Sequence, residues 1–270
     1  MSKRWIAASL TALTALALAA PAVAQQSRHV AKPTVTAKVS TVDTLVHHKV
    51  VIKGHVSKAR KGDRVILQKR ILGKKTWKTE ERGKLNSTKH YKFTDKPTTP
   101  ETRDYRVKIL ATKKHTATHS KKRTVVVRQW RPLTTWFPFS AVRKNDGFYF
   151  WNHTATINTV VYPHSVVGSL FQTAGSIDLN IAGRCSALRS RFGVGDNTDE
   201  TASALITVTA DGKNLYSKSF ALRQSEQKSL SLGKAFRLAF SYQVTDPADS
   251  PGSPEGAVAV LASPEILCTK

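Results

Sequence analysis

Carboxylates, imidazoles and aromatic rings are the side chains here that could do chemistry, and the densest acidic cluster lies in and just after the run RFGVGDNTD at residues 191–199. Asp196, Asn197, Asp199 and Glu200 place three carboxylates and an amide close together, the oxygen-rich donor set that calcium takes at about 2.4 Å. The run lacks the glycine and the distant bidentate Glu of a helical calcium hand. A solvated turn is the expectation, with calcium as the alternative. Gly193 and Gly195 also suggest a phosphate cradle, but a dinucleotide fingerprint needs a third glycine and a helix behind it. The next segment, TASALITVTADGKNLYSKSFAL, alternates apolar and polar residues and carries Asp211-Gly212, the pattern of a β-hairpin. RFGVGDNTD therefore reads as the exit of a core strand into a loop, with Phe192 and Val194 facing inward.

Catalysis finds no support in these groups. Glycoside hydrolysis needs two acids on either side of a bond, about 5 or 9 Å apart, and carboxylates in one flexible turn cannot flank a sugar. Asp178, Asp211, Asp246, Asp249 and Glu265 lie beside Gly, Pro or Ser and read as turn residues. No Gly-x-Ser-x-Gly elbow and no His-Glu-x-x-His helix occurs. His47, His48, His115 and His119 have no Cys or acid at ligand spacing and read as a solvated face. The expectation is a protein that is not an enzyme and needs no cofactor. Sugar binding asks for less: an aromatic face for the apolar side of a ring, and amides, carboxylates or Arg for its hydroxyls. Trp151, Asn152, His153, Tyr162, His164 and Arg191 are the best such set, although a strand Trp or Tyr commonly serves the core and a lone His is commonly a satisfied interior group.

The elements that would position these groups belong to an exported chain. Residues 1–24 have Lys3 and Arg4, an apolar run from Trp5 to Ala20, and Ala22-Val23-Ala24 before Gln25, the pattern of a cleaved signal peptide. The run is shorter than the roughly 20 residues of a membrane span, so a secreted, extracellular or wall-associated protein is expected. Cys185 and Cys268 are the two cysteines; in an oxidising compartment an even count argues for one disulfide, the alternative being two separate buried thiols. The formal charge is +25 and uneven: residues 27–130 hold 28 Lys and Arg against 7 Asp and Glu, hence +21, whereas residues 131–270 hold 13 against 11, hence +2. So large an excess suits contact with envelope polyanions, or it serves solubility alone. Specific nucleic-acid recognition is not expected, because no recognition helix or RNA-binding aromatic motif is legible.

Both halves read as β structure. The first has KVVIKGHV, DRVILQKR, TWKTEERGKL, HYKFTD, YRVKILA and RTVVVR at the spacing of a sandwich, with Tyr105 where a tyrosine corner would bond back to the chain. The segments GHVSKARKGDRVILQKRILGKKTWKT, YKFTDKPTTPETRDYRVKILA and KKRTVVVR resemble the cysteine-free immunoglobulin-like modules of secreted actinobacterial proteins, over residues 33–128. QWRPLTTWFPFS breaks the pattern and reads as a linker, 129–139. The remainder, 140–270, offers about eight strands and no helix longer than a turn, which suggests a jelly-roll sandwich. Here INTVVYPHSVVGSL, SIDLNIAGRCSALRSRFGVGDNTDETASALITVTADGKNLYSKSF, KAFRLAFSY and AVAVLASPEILC resemble the NPCBM carbohydrate-binding module of galactose-binding-like sandwiches. The chain departs from that family at Gly195-Asp196, where the pattern has two acids, which counts against calcium. The resemblance implies an all-β, two-sandwich protein whose C-terminal domain binds glycan without catalysis. The alternative is a structural or protein-interaction module without a sugar site, its basic domain meeting polyanions.

Overall fold

The computed structural model describes residues 32–137, 141–169, 171–245 and 256–270, with backbone alone at Trp151 and Asn152. The expected signal peptide, Asp246 and Asp249 lie outside them. The first sandwich contains β1 (Lys38–Val39), β2 (Asp43–Leu45), β3 (Val50–His55), β4 (Arg64–Ile71), β5 (Lys78–Lys84), β6 (His90–Asp95), β7 (Thr102–Ile109), β8 (Thr118–His119) and β9 (Arg123–Pro132). One sheet runs β1-β3-β6, and the other runs β2-β9-β7-β4-β5 with β8 on β7. Every pairing is antiparallel except that of β2 with β9. The period-two alternation of Val, Ile and aromatic residues turns one side of each strand inward, so Val50, Ile52, Val65, Leu67, Phe93, Tyr105, Val107, Val125 and Val127 share one core.

Between these sheets lies a buried polar knot. Tyr105 donates its hydroxyl to the carboxylate of Asp95 at the end of β6, so the tyrosine does bond back, to a side chain. Arg103 meets the same carboxylate at 3.2 Å, Glu101 at 2.8 Å and the Thr99 hydroxyl at 2.9 Å. Burial and the neighbouring Asp95 push the Tyr105 phenol well above its usual range, keeping it a donor. His115 departs from the expected solvated face: it is 2% exposed, with Nε2 3.0 Å from Asp63, an acid 52 positions away in sequence. That distance in the chain is why spacing could not reveal the pair.

The second sandwich contains β10 (Val142–Asp146), β11 (Phe148–Ile157), β12 (Val160–Gly168), β13 (Ala174–Asn180), β14 (Cys185–Val194), β15 (Ser203–Ala210), β16 (Lys213–Ala221), β17 (Ser225–Ser231), β18 (Arg237–Thr245) and β19 (Ala259–Cys268). The sheet β10-β13-β18-β15-β16 packs on the sheet β11-β12-β19-β14-β17. Phe192 and Val194 do face inward, beside Ile177, Leu179, Ile206, Val208, Phe220, Phe240 and Leu261. Asp211 and Gly212, both at positive φ, turn β15 into β16 as that dipeptide demands. Two of the acids read as turn residues are in strands: Asp178 in β13 pairs with Arg237, and Glu265 in β19 pairs with Arg189 at 2.7 Å.

The sandwiches share a strand. The first half of β9 pairs with β7 and β2, and its last four residues, Gln129–Pro132, pair with Cys268–Glu265 of β19. The segment expected as a linker thus begins as strand and continues as a helical turn, Leu133–Trp136, whose Leu133 is fully buried in the second core. Arg128 spans the junction, bonding Asp43 at 2.9 Å and the carbonyl of Arg184 at 3.1 Å.

Cys185 and Cys268 form the expected disulfide, directly opposite each other on β14 and β19 and 83 positions apart. Loop-closure entropy alone assigns such a link about 4.5 kcal/mol. Replacing both cysteines by Ser should lower stability by about 2–5 kcal/mol, measured by denaturant unfolding, while mass mapping of the unreduced protein should find no free thiol. In the first sandwich, Arg103→Met should cost about 3–5 kcal/mol, because it strands the buried Asp95 carboxylate; the same unfolding measurement checks it.

Candidate carbohydrate site

The acidic loop after β14 is committed to backbone. Asp196 accepts the N–H of Asn158 at 2.6 Å and of Thr159 at 2.8 Å, the two positive-φ residues that turn β11 into β12. Its own N–H bonds the carbonyl of Thr156 at 3.0 Å. Asp199 accepts the N–H and hydroxyl of Thr201 at 3.0 and 3.1 Å, and those bonds hold its carboxyl below the usual aspartate range. Asn197 and Glu200 are exposed. Among the described residues no three His, Cys, Asp or Glu side chains converge as metal ligands. What the loop does is clamp the tip of the β11–β12 hairpin.

That hairpin carries most of the residues expected to meet sugar. Its distal half packs Ala155 and Ile157 against Val258, Val260 and Ala262, and Tyr162 packs on this small cluster. Tyr162 thereby covers apolar surface. His153 stands 5.2 Å, ring to ring, from Tyr149; His164 sits at positive φ in β12. Arg191 lies on β14 next to Ala262 and donates to the Ser225 hydroxyl at 3.2 Å. The side chains of Trp151 and Asn152 are not among those described. Three clefts stand out on the second sandwich, and His153, Tyr162, His164 and Arg191 line none of them.

The cleft richest in rings opens where β9 leaves the first sandwich. Pro132 ends the strand, Leu133 anchors the helical turn in the core, and Trp136 and Phe137 emerge half-buried on one wall. The Arg131 guanidinium lies 4.3 Å from the Trp136 ring centre and is held by the Gln129 amide at 2.9 Å. The other wall is the β13–β14 loop. Asn180 accepts the N–H of Ala182 at 3.1 Å, and the N–H groups of Ile181 and Ala182 both bond the carbonyl of Phe236. Ala182 and Gly183 at positive φ complete a tight bend, and the exposed Arg184 side chain that follows has no carboxylate partner among the described residues. Cys185 and Lys270 close the cleft, which encloses about 470 Å³.

The two other clefts lack this combination. A 370 Å³ groove on β10, β13, β18 and β15 is lined by Lys144, Asp146, Ser176, Thr207, Ser241 and Gln243; its ring, Tyr242, is buried and bonds the carbonyl of Gly147 at 2.8 Å. A 480 Å³ hollow beside the β15–β16 turn holds Asp178, Asp211 and Arg237. Its charges are occupied, Asp178 with Arg237 and Asp211 with the N–H groups of Phe236 and Arg237. Of the three, the Trp136 cleft alone offers aromatic surface together with an uncommitted cationic donor, the pairing that fits one apolar and one hydroxylated side of a pyranose. By sequence its rings, in QWRPLTTWFPFS, fall in an expected linker; the Pro132 stop before two aromatics was the available signal.

Comparison with known proteins agrees with the motifs. Residues 130–244 match the NPCBM/NEW2 domain, a match that begins in β9 and ends in β18. No relative is found among curated proteins. Solved structures to which the chain is similar include the CBM51-2 and INT domains of Clostridium perfringens ZmpB, 11% identical, with 63% of this chain and 38% of that chain covered and a TM-score of 0.38. Another is the CBM51 of Clostridium perfringens GH95 in complex with methyl-galactose, 12% identical, with 51% of this chain and 99% of that chain covered and a TM-score of 0.37. A third, the ZmpB M60 catalytic domain with CBM51-1 and CBM51-2, is 8% identical and is covered over 34% of its length, against 83% of this chain, at a TM-score of 0.38. The chain thus spans well under half the length of these two ZmpB structures.

The clamp role of Asp196 is testable. Asp196→Ala removes two charge-assisted bonds and should cost about 1.5–3 kcal/mol, with faster amide exchange at Asn158 and Thr159. Chelating divalent cations should leave the melting temperature of the unaltered protein unchanged.

Proposed function

We propose that the C-terminal sandwich, residues 140–270 together with the Trp136 turn, is a non-catalytic carbohydrate-binding domain of an exported protein, and that its sugar seats in the Trp136 cleft. The observation that carries this reading is the cleft itself: two aromatic side chains face the Asn180–Arg184 bend, and the Arg184 side chain has no carboxylate partner among the described residues. Trp136 and Phe137 would take the apolar face of a ring, and the Asn180 amide and Arg184 its hydroxyls. The match to the NPCBM/NEW2 domain supports the ligand class. Among the described residues no Asp or Glu lines the cleft, so none of them supplies the acid pair of glycoside hydrolysis there. Export is supported by the leader-like residues 1–24 and by the disulfide.

The N-terminal domain, residues 33–128, holds the sugar-binding domain at the envelope. An immunoglobulin-like reading of it is supported by three strands facing a sheet in which β2 runs parallel to the last strand. The charge imbalance favours a second reading, in which the sandwich is an interaction module with no sugar site and the basic domain binds polyanions.

A glycan array with the full chain tests the first reading, followed by titration calorimetry on the best ligand. Trp136→Ala and Asn180→Ala should each weaken binding at least tenfold, or by about 1.4 kcal/mol. Loss on His153→Ala or Arg191→Ala instead would move the site to the β11–β12 hairpin face. Silence across the array would overturn sugar binding.

A further inference from the structure

Part of the positive charge of the first domain lies in its turns, at Lys58, Lys61, Lys74 and Lys75. The outward face of its larger sheet is a different matter. There β4 and β7 alternate inward Val65, Leu67, Tyr105, Val107 and Ile109 with outward Gln68, Arg70, Asp104, Arg106 and Lys108. Trp77, just before β5, lies over this face. The Arg70 and Arg106 guanidinium groups both lie against its ring, at 4.6 and 4.2 Å from the centre.

The two arginines are not equivalent. Arg70 pairs with Asp104 at 2.7 Å, and that carboxylate also takes the Thr124 hydroxyl at 2.7 Å and Lys122 at 3.4 Å. Burial pushes the Asp104 carboxyl up, but these partners outweigh it and hold it below the usual aspartate range. Its charge is fully engaged. Arg106 has no acid within ion-pair distance among the described residues. Its hydrogen bond from Nε to the neutral Gln68 amide, at 2.9 Å, orients the guanidinium without neutralising it. Burial, and after it the nearby Arg70, lower its pKa. Arg82 and Lys108, placed laterally on either side of Ile66, extend the same face.

Two like charges against one ring, with a single acid already shared among three donors, repel each other unless an anion arrives. A guanidinium held by its Nε still presents the terminal N–H fork that grips a carboxylate or phosphate with two bonds, and the indole offers apolar surface beside it. We propose that Arg106, with Arg70 and Trp77, forms an anion-binding site on the outer face of the N-terminal sheet, and that its occupant is an acidic polysaccharide whose charged groups seat on Arg106 and whose sugar ring rests on Trp77. This rests on the polyanion reading of the basic domain and is independent of the Trp136 cleft.

The test uses the full chain at about 0.05 M salt, where screening is weak, with polygalacturonate as probe, neutral dextran as control and single-stranded DNA as competitor. Arg106→Gln should weaken polygalacturonate binding at least tenfold, whereas Lys61→Gln, which removes the same charge from a turn, should change it less than twofold. Arg106→Lys keeps the charge and the fold but loses the fork, and should fail to restore affinity. Trp77→Leu should weaken polygalacturonate binding too, and a site that holds single-stranded DNA more tightly than polygalacturonate would overturn the polysaccharide as its occupant. Equal losses for Arg106→Gln and Lys61→Gln would overturn the site while leaving a polyanion-binding domain. Full rescue by Arg106→Lys, or no retention of polygalacturonate at low salt, would overturn it as well.

Discussion

Strand β19 is the element on which the rest of the molecule depends. One of its edges pairs with β14, from Ala259 opposite Val194 to Cys268 opposite Cys185. Its other edge is divided, with Val260 and Leu261 on β12 and Glu265–Cys268 on β9. The switch falls at Ser263, a positive-φ residue whose N–H bonds the Ser165 hydroxyl and whose own hydroxyl bonds the carbonyl of Pro163 at 2.7 Å. By changing partner midway, one strand closes the second sandwich and joins it to the first. A ladder of this kind, with a covalent bridge at its end, transmits position far better than a tether would.

The candidate sugar cleft follows from that arrangement. β9 brings the Trp136 turn to one side of β19, β14 brings the Asn180–Arg184 bend to the other, and the disulfide holds β14 and β19 together at the cleft's edge. Each wall on its own is a short turn; together they enclose a volume suited to a small ligand. The acidic loop after β14 has a different task at the opposite end of the same strand, where Asp196 closes the hairpin turn. Acids elsewhere are similarly engaged, Glu226 between Lys218 and Lys228 and Glu265 with Arg189. The second half holds nearly equal numbers of bases and acids, 13 against 11, while the first carries a large positive excess.

Much of this was legible in the residues, and the failures have a common cause. Alternation of Val, Ile and Thr marked the strands of both sandwiches, because burial of one face leaves a period of two in the chain. Alternation is absent from β10, VRKND, which is mostly exposed and has no apolar face to signal. It is broken in β12, where Pro163 and the positive-φ His164 interrupt the pattern. Tyr162, a candidate for stacking on sugar by type, also packs on the small cluster of Val260 and Ala262, a contact its type did not announce. His115 was read as solvated and is buried on Asp63.

By itself the sequence determined the class of the fold, the asymmetry of charge, the only partner each cysteine could take if oxidised, the Asp211-Gly212 turn and the inward direction of Phe192 and Val194. These depend on local conformational preference, on composition, or on there being a single way to pair two thiols. Only the tertiary structure decided that β9 continues into the second sandwich, that Trp136 faces Asn180 across a cleft, and that Arg70 and Arg106 meet on one indole. Each of these is a contact between segments far apart in the chain, set by the register of neighbouring strands. Register depends on which partner buries the most apolar surface, and a one-dimensional pattern holds no record of that choice.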